Sequence, residues 1–226
     1  MRTIKKLHPS RMLILSALFL MILSDAIQCS RPFPDDDFAI YMTLATALRE
    51  QDRFIFISSV TSNGNIGGIA AADAICNRDV NNPAPQFYFK ALLVDGVNRT
   101  ACVNSNCSPF NSGDRRDWVL RSERTYYRTS GSAIVPVLTT NANAIIDLSA
   151  NPLLNGGFSA TNLEYWTGLN TDWTTGAAST GHCNFWQDSG VIPTGSTGFG
   201  DQSGTGAIGA GNPSCSLTAH ILCIQQ

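Results

Sequence analysis

The chain has 226 residues and a formal net charge of −2. This length suits one domain of ordinary size behind a leader, or at most two small domains. Four basic residues and one acidic residue fall within residues 1–29, which leaves 11 basic and 16 acidic residues in the remainder, a net charge of −5. A general nucleic-acid binder would be much more basic, so the composition argues against a nucleic-acid partner.

The N-terminus has the pattern of a secretion signal. Residues 1–11 carry four basic residues and no acid, and Met12–Ser24 is an apolar run of 13 residues. Such a run is too short to span a bilayer, which needs about 20 residues. A basic head before a short apolar core is typical of a signal peptide. We therefore expect residues 1–28 to be a leader and the protein to be exported.

The seven cysteines set the expectation for the N-terminal anchor, because an odd number cannot all pair with each other. Cys29 lies five residues beyond the apolar core, where a lipoprotein signal places its lipidated cysteine. Lipidation of Cys29 would leave six cysteines for three disulfides and would hold the protein in the outer membrane or at the cell surface. The alternative is cleavage after Ala26, since Ser24, Asp25 and Ala26 read small-x-small; that would give a secreted or periplasmic protein.

Beyond the leader, residues 29–52 are expected to form a tether with a short helix. Residues 30–37 are rich in Pro and Asp, and the three consecutive aspartates at 35–37 suit a helix start. Apolar residues then recur at helical spacing over 37–50, namely Phe38, Tyr41, Met42, Ala45 and Leu48. The alternative is an ordered linker packed on the domain that begins at residue 53.

The remaining residues, 53–226, have the pattern of predicted strands and helices that is expected of a folded domain. Phe54–Val60 and Phe87–Val94 are predicted strands by their length and composition, and Ile69–Asn77 is a predicted short helix. Ala219–Ile224 is the last predicted strand. Between them, Asn170–Pro213 is dominated by Gly, Ser, Thr and Asn. A stretch this long and irregular needs something to pin it inside a domain.

Several of these segments together resemble a group of bacterial C-type-lectin-like domains, which are also described as similar to endostatin. The best-known members are the leptospiral endostatin-like surface lipoproteins. The segments that carry the resemblance are Asn63–Gly68, Ala70–Cys76, Phe89–Leu93, Tyr165–Leu169, Cys183–Trp186 and the closing Cys223. The resemblance implies an α+β domain with small antiparallel sheets closed by the first and last strands, one or two helices, and a long loop region pinned by a disulfide.

The resemblance also implies a disulfide scheme. Domains of this kind link the first-helix cysteine to the last-strand cysteine and nest a second bridge inside. In this chain the scheme gives Cys76–Cys223 and Cys183–Cys215, with Cys102–Cys107 as a local clip. Six cysteines alone would allow 15 pairings.

Catalysis and metal binding receive little support from the sequence. The Glu-Pro-Asn and Trp-Asn-Asp motifs of calcium-dependent sugar binding are missing from the sequence, and its carboxylates are dispersed over the long loop. No zinc ligand cluster is apparent. We therefore expect neither an enzyme nor a cofactor or metal site.

One basic cluster lies between residues 115 and 128, where five arginines stand against two acids. Arginines favour sulfate, phosphate and carboxylate groups because their geometry is bidentate, and nearby aromatic residues add contact surface. The predicted ligand-binding residues are Arg115, Arg116, Arg121, Arg124, Arg128, Trp118, Tyr126 and Tyr127. The alternative is a solvated hairpin whose arginines pair with neighbouring acids.

These observations favour a non-catalytic binding protein at the cell surface. The resemblance implies an adhesin for host extracellular-matrix proteins such as laminin and fibronectin, or for plasma proteins such as complement regulators and plasminogen. The arginine cluster adds glycosaminoglycan as a further partner. A structural or housekeeping envelope lipoprotein without a host ligand is the alternative.

Overall fold

The structure is a computed structural model that describes residues 52–226, and for Asp52 only its backbone. The predicted leader, the lipidation site Cys29 and the helix predicted over 37–50 lie outside the described residues. Over 52–226, no helix combines the length and the apolarity needed to cross a membrane.

Short strands and few helices make up the described chain. The strands are β1 (Asp52–Ile57), β2 (Phe89–Ala91), β3 (Thr125–Ser130), β4 (Ala133–Thr139), β5 (Glu164–Trp166), β6 (Thr197–Phe199) and β7 (His220–Gln225). The helices are α1 (Ile69–Arg78) and α2 (Ala178–Gly181), with 3-10 turns at Ser105–Cys107 and Thr205–Ala207. A further helical turn spans Cys183–Trp186. The fold is therefore mixed α/β.

The strands form one sheet in the order β4-β3-β1-β7-β5-β6, and β2 also pairs with β7. The first and last strands lie side by side and antiparallel, with Phe56 opposite Cys223. However, β1 runs parallel to β3, and β5 runs parallel to β7. The sheet is therefore mixed, and the predicted antiparallel arrangement holds for the pairs β1–β7, β2–β7, β3–β4 and β5–β6 but not for the other two. Parallel neighbours need long crossover connections, and the chain supplies them between β1 and β3 and between β5 and β7.

The predicted helix and strands are present at slightly different bounds. Helix α1 begins at Ile69, as predicted, and extends one residue further, to Arg78. The strand predicted over Phe87–Val94 is reduced to Phe89–Ala91. The Leu92 amide still donates to the Leu222 carbonyl of β7 at 2.7 Å, but the Val94 amide donates to the Thr167 carbonyl instead, at 2.9 Å.

Alternation along β1 divides the core between the two faces of the sheet. Phe54 and Phe56 pack on the face that α1 covers. Ile55 and Ile57 pack on the opposite face, which loops cover instead of a helix. That second face contains two buried tryptophans, Trp118 and Trp173, whose ring centroids lie 5.9 Å apart in an edge-to-face arrangement.

Three disulfides join the described cysteines in the pairing that the resemblance implies. Cys76–Cys223 ties α1 to β7 across 147 residues of sequence. Cys183–Cys215 closes the long loop region across 32 residues. Cys102–Cys107 is a local clip with a separation of five.

The turn over Cys183–Trp186 is left-handed, because all four of its residues have φ between 48° and 64°. Non-glycine residues in this conformation cost roughly 1–2 kcal/mol each, so the surroundings must hold the turn in place. Cys183 is tied to Cys215, and the His182 Nδ1 accepts the Phe185 amide at 2.9 Å. The Trp186 carbonyl accepts the amides of both glycines that precede α1, Gly67 and Gly68.

The disulfides should differ in their contribution to stability according to the loops they close. In the chain-entropy model, Cys76–Cys223 contributes about 5 kcal/mol and Cys102–Cys107 about 2 kcal/mol. We expect the C76A/C223A variant to lose roughly 3 kcal/mol more free energy of unfolding than C102A/C107A, measured by urea denaturation under oxidising conditions. Both variants remove two buried sulfur atoms, so equal losses would contradict this account.

His182 should make the left-handed turn sensitive to acid. Burial lowers the pKa of His182, whereas an unfolded histidine titrates near 6.5. The unfolded chain therefore takes up the proton first as the pH falls, and the folded state loses stability below about pH 6.5. An asparagine oxygen can accept the same amide without titrating, so His182→Asn should flatten the pH dependence of the unfolding free energy between about pH 7.5 and 5. An unchanged slope in that variant would rule His182 out as the cause.

Candidate functional site

The candidate site is built on a buried arginine. Arg99 is fully buried and its guanidinium forms a two-pronged ion pair with Asp73 of α1, at 3.0 and 2.8 Å. The same guanidinium reaches the Asp117 carboxylate at 2.6 Å and the Ala91 carbonyl of β2 at 2.7 Å. Burial would lower the pKa of Arg99, but the two carboxylates outweigh it and raise the pKa. Arg99 therefore stays charged and joins α1, β2 and the loop that contains Asp117.

Asp95 sets the direction of the chain just before this arginine. One carboxylate oxygen accepts the backbone amides of Val97, Asn98 and Arg99 at 2.7–3.0 Å. Burial would raise the pKa of Asp95, but the Asn98 side chain and these amides outweigh it and lower the pKa. The carboxylate therefore stays ionised and fixes the tight turn that delivers Arg99 to the interior.

The loop beyond Arg99 is folded back by a second carboxylate. Asp114 is buried and accepts the Val103 and Asn111 amides, both at 2.5 Å. The Arg115 amide donates to the Ala101 carbonyl at 2.8 Å. These bonds fold residues 110–117 back against the domain, next to the buried Trp118. The charge of Asp114 is thus satisfied by backbone donors rather than by the neighbouring arginines.

A surface cleft of about 360 Å³ opens beside this loop. Its floor is apolar, from Trp118, Leu120 and Ala144, and the Trp118 indole N–H is satisfied by the Ala144 carbonyl at 2.9 Å. Its walls carry two arginines and an exposed aromatic ring. The lining residues are Phe110, Asp114, Arg115, Trp118, Leu120, Arg121, Ser122 and Ala144. We call this site the cationic cleft.

The two arginines of the cationic cleft differ in their constraints. The Arg115 guanidinium lies 4.7 Å from the centroid of the Phe110 ring and donates to the Ser122 hydroxyl at 3.0 Å. The Arg121 side chain is exposed, and within residues 52–226 its guanidinium forms no hydrogen bond or ion pair. One arginine is therefore already oriented and the other is available to a ligand.

The backbone of Arg121 is held from below by a buried tyrosine. The Tyr126 hydroxyl accepts the Arg121 amide at 2.7 Å, and the Thr140 hydroxyl donates to the Arg121 carbonyl at 2.5 Å. Burial raises the pKa of Tyr126 to about 12. The tyrosine thus stays protonated at neutral pH and acts as a fixed support for the arginine.

The structure separates the eight residues that the sequence predicted as one patch. Arg115, Arg121 and Trp118 line the cationic cleft. Arg116 is exposed outside it and donates to the Val97 carbonyl at 2.9 Å. Arg124 and Tyr127 are half-buried outside the cleft lining.

Tyr126 and Arg128 are buried, and neither lines the cationic cleft. Strand β3 turns alternate side chains inward, and both residues fall on its inner face. The Arg128 guanidinium donates to the Gly157 and Asn155 carbonyls at 3.0 and 2.6 Å. Trp118 is also buried and offers only the floor of the cleft.

Phe110, Ser122 and Ala144 also line the cleft but were not predicted from the sequence. Phe110 could have been predicted most easily of the three, since it is an aromatic residue in a polar loop five positions before Arg115. Ala144 carries no local signal, because it reaches the cleft only through the packing of the loop after β4.

No group of three or more His, Cys, Asp or Glu residues in the described part of the chain is arranged to hold a metal ion. The polar groups of the cationic cleft are two guanidinium groups, a hydroxyl and the Asp114 carboxylate. The carboxylate already accepts two backbone amides of its own loop. This chemistry suits binding of an anion rather than of a cation.

Removing the buried arginine should destabilise the whole domain. Arg99→Ala leaves Asp73 buried without its partner, which costs roughly 3–5 kcal/mol of unfolding free energy. The matched control is Arg116→Ala, an exposed arginine of the neighbouring loop, which should change stability by no more than about 0.5 kcal/mol. Urea denaturation measures both, and similar losses for the two variants would contradict a special role for Arg99.

Comparison with known proteins places the chain in a family without an assigned activity. No curated protein matches the sequence. One family profile matches residues 59–203, which is more than half of the chain and includes the cationic cleft. The chain belongs to the DUF1554 family, described as proteins of unknown function.

Proposed function

We propose that this protein is a non-catalytic surface binding protein that holds an anionic group of a partner in the cationic cleft. The observation that carries the proposal is that the Arg121 guanidinium is exposed and forms no hydrogen bond or ion pair within 52–226, in the same cleft as Arg115, which is already oriented by Phe110 and Ser122. Two guanidinium groups around an apolar floor suit a sulfate or carboxylate that is carried on an apolar or aromatic stem.

The shape of the site favours a protein partner over a glycosaminoglycan chain. A sulfated polysaccharide would be bound best by an extended row of exposed cations. In this chain the row is interrupted, because Arg128 is buried and Arg124 is half-buried. A compact cleft with an aromatic wall fits a single side chain with an acidic end, and aromatic residues and arginine are common in protein interfaces.

The finer description of the fold belongs to the same proposal. A C-type-lectin-like domain is supported by the neighbouring first and last strands, by the helix-to-last-strand disulfide and by the bridge within the long loop region. On this basis the partners are host extracellular-matrix or plasma proteins, with laminin, fibronectin, complement regulators and plasminogen as the first to test. A lipid on Cys29 would present the domain at the outer surface.

The proposal is tested by binding of the purified, oxidised protein to that panel and to heparin. We expect at least one protein ligand to bind, and Arg121→Ala to weaken its binding at least tenfold, because a hydrogen bond to a charged group contributes about 1.5–3 kcal/mol. The double variant R115A/R121A should lose roughly a hundredfold.

The matched control is R116A/R124A, which removes the same charge from outside the cationic cleft. Equal losses in the two double variants would mean that net charge, and not the cleft, attracts the ligand. A uniformly negative panel at about micromolar concentration would favour the alternative, an envelope lipoprotein without a host ligand.

A further inference from the structure

Two arginines of the described chain are buried, and they differ in their counter-ions. Arg99 meets the carboxylates of Asp73 and Asp117. Arg128 is only 6% exposed, yet within 52–226 its guanidinium forms no ion pair, and its hydrogen bonds all go to carbonyl oxygens. Burial lowers the pKa of Arg128, with no carboxylate to offset it. Because a buried charge without a counter-ion is costly, Arg128 needs an explanation beyond packing.

The hydrogen bonds of Arg128 use three of the five N–H groups that a guanidinium carries. Nε donates to the Gly157 carbonyl at 3.0 Å, and Nη2 donates to the Asn155 carbonyl at 2.6 Å. Nη1 reaches the Thr129 carbonyl only at 3.4 Å. One hydrogen on each terminal nitrogen is therefore left over. Two N–H groups of this kind form the fork that binds both oxygens of a carboxylate.

Arg128 lines a cleft between the ends of two strands. The parallel ladder of β1 and β3 ends where Phe54 lies opposite Tyr127, although both strands continue for three more residues. The residues beyond that pair, 55–57 and 128–130, line a cleft of about 340 Å³. The loop segment 158–160 lines it as well. We call this site the strand cleft. Its volume is in the range of small-molecule sites.

The lining of the strand cleft combines one charge with apolar surface. Arg128 is its only charged lining residue. Apolar contact is offered by Ile57, Phe158 and Leu163, which pack with the core face that loops cover. Ser130 lies on the same side of β3 as Arg128, and its hydroxyl forms no hydrogen bond within 52–226. A single positive charge matches a monoanion such as a carboxylate better than a phosphate, which carries nearly two negative charges.

We propose that the strand cleft binds a small carboxylic acid with an apolar stem, whose carboxylate pairs with the two remaining N–H groups of Arg128. The stem lies against Phe158 and Leu163, and the Ser130 hydroxyl donates to a carboxylate oxygen. The bound acid supplies the counter-ion that residues 52–226 do not provide for Arg128.

This site is independent of the proposed function. The strand cleft and the cationic cleft share no lining residue. They also differ in exposure, since the guanidinium of the strand cleft is buried and that of Arg121 is exposed. A protein partner at the cationic cleft therefore needs no acid in the strand cleft, and each site is tested separately.

An NMR titration of the isotope-labelled, oxidised protein with phenylacetate and with hexanoate tests the site. We expect the Arg128 Nε–H signal to shift on addition of at least one of the two acids. Nuclear Overhauser effects should connect the stem of that acid to the Phe158 ring and the Leu163 methyl groups. Phenylacetamide and hexanamide keep the stems but lack the charge, so they should bind at least tenfold more weakly.

Variants at position 128 test the role of the guanidinium. Arg128→Met keeps an apolar stem and removes the charge, and it should bind the acid at least tenfold more weakly. Arg128→Lys keeps the charge but cannot form the fork, and it should also bind more weakly. The matched control is Arg116→Ala, which removes one charge outside both clefts and should leave the affinity unchanged. Cooperative urea unfolding shows whether each variant is folded.

The wild-type protein alone can overturn the proposal, so the result does not depend on the folding of a variant. The absence of a saturable shift with either acid up to about 10 mM, or equal binding of an acid and its amide, would do so. Contacts confined to residues outside the strand cleft would do so as well. If these contacts were to Trp118 and Arg121, the acids would occupy the cationic cleft, and the proposed function would stand without this second site.

Discussion

A single buried charge determines how the parts of this protein meet. Arg99 has no access to solvent, and it joins the carboxylates of Asp73 and Asp117 and the carbonyl of Ala91. A charge in the interior is tolerated only if its partners are in place. Helix α1, strand β2 and the loop before Trp118 must therefore assemble together. Lys90 adds a further contact to Asp117 from β2, which holds the same loop against the sheet from the solvent side.

The cationic cleft depends on the same contacts of Arg99 and Asp117. Once Asp117 is fixed, the next residue, Trp118, is directed into the core, where it packs on Trp173 and donates to Ala144. The polypeptide on either side then lies at the surface, and Asp114 keeps it folded back. Arg115 and Arg121 both line the cleft above its apolar floor, and the loop between them is anchored by the buried Trp118. Hydrogen bonds hold the backbone around the cleft, while the guanidinium groups of the two arginines are accessible. This is typical of a binding site formed by loops on a fixed framework.

Local signals in the sequence were sufficient for some of this architecture. Residues Ile69–Asn77 have a helix-forming composition and the last strand a strand-forming one over their whole length. The family resemblance implied all three disulfide pairs. Gly168, in the motif Tyr165–Leu169, has a φ of 72°, and a side chain there would meet the Val94 carbonyl, which explains why this motif is recognisable. The parallel pairings of β3 and β5 were not predictable, since they depend on crossovers of many residues. The position of Arg128 was not predictable for a similar reason. Alternation along β3 puts Arg128 on one face of the strand, but which face is buried is known only once the sheet is assembled.

We propose that Arg115, Arg121 and the Trp118 floor form one binding site for an anion on an apolar stem. The most direct measurement is a titration of the isotope-labelled protein by NMR with phenyl sulfate, and in parallel with inorganic sulfate. We expect the signals of the Trp118 indole N–H and the Arg121 guanidinium N–H to shift, and to saturate at a lower concentration of phenyl sulfate because its ring contacts the apolar floor. Equal affinity for both anions, or shifts confined to residues outside the cleft, would contradict it.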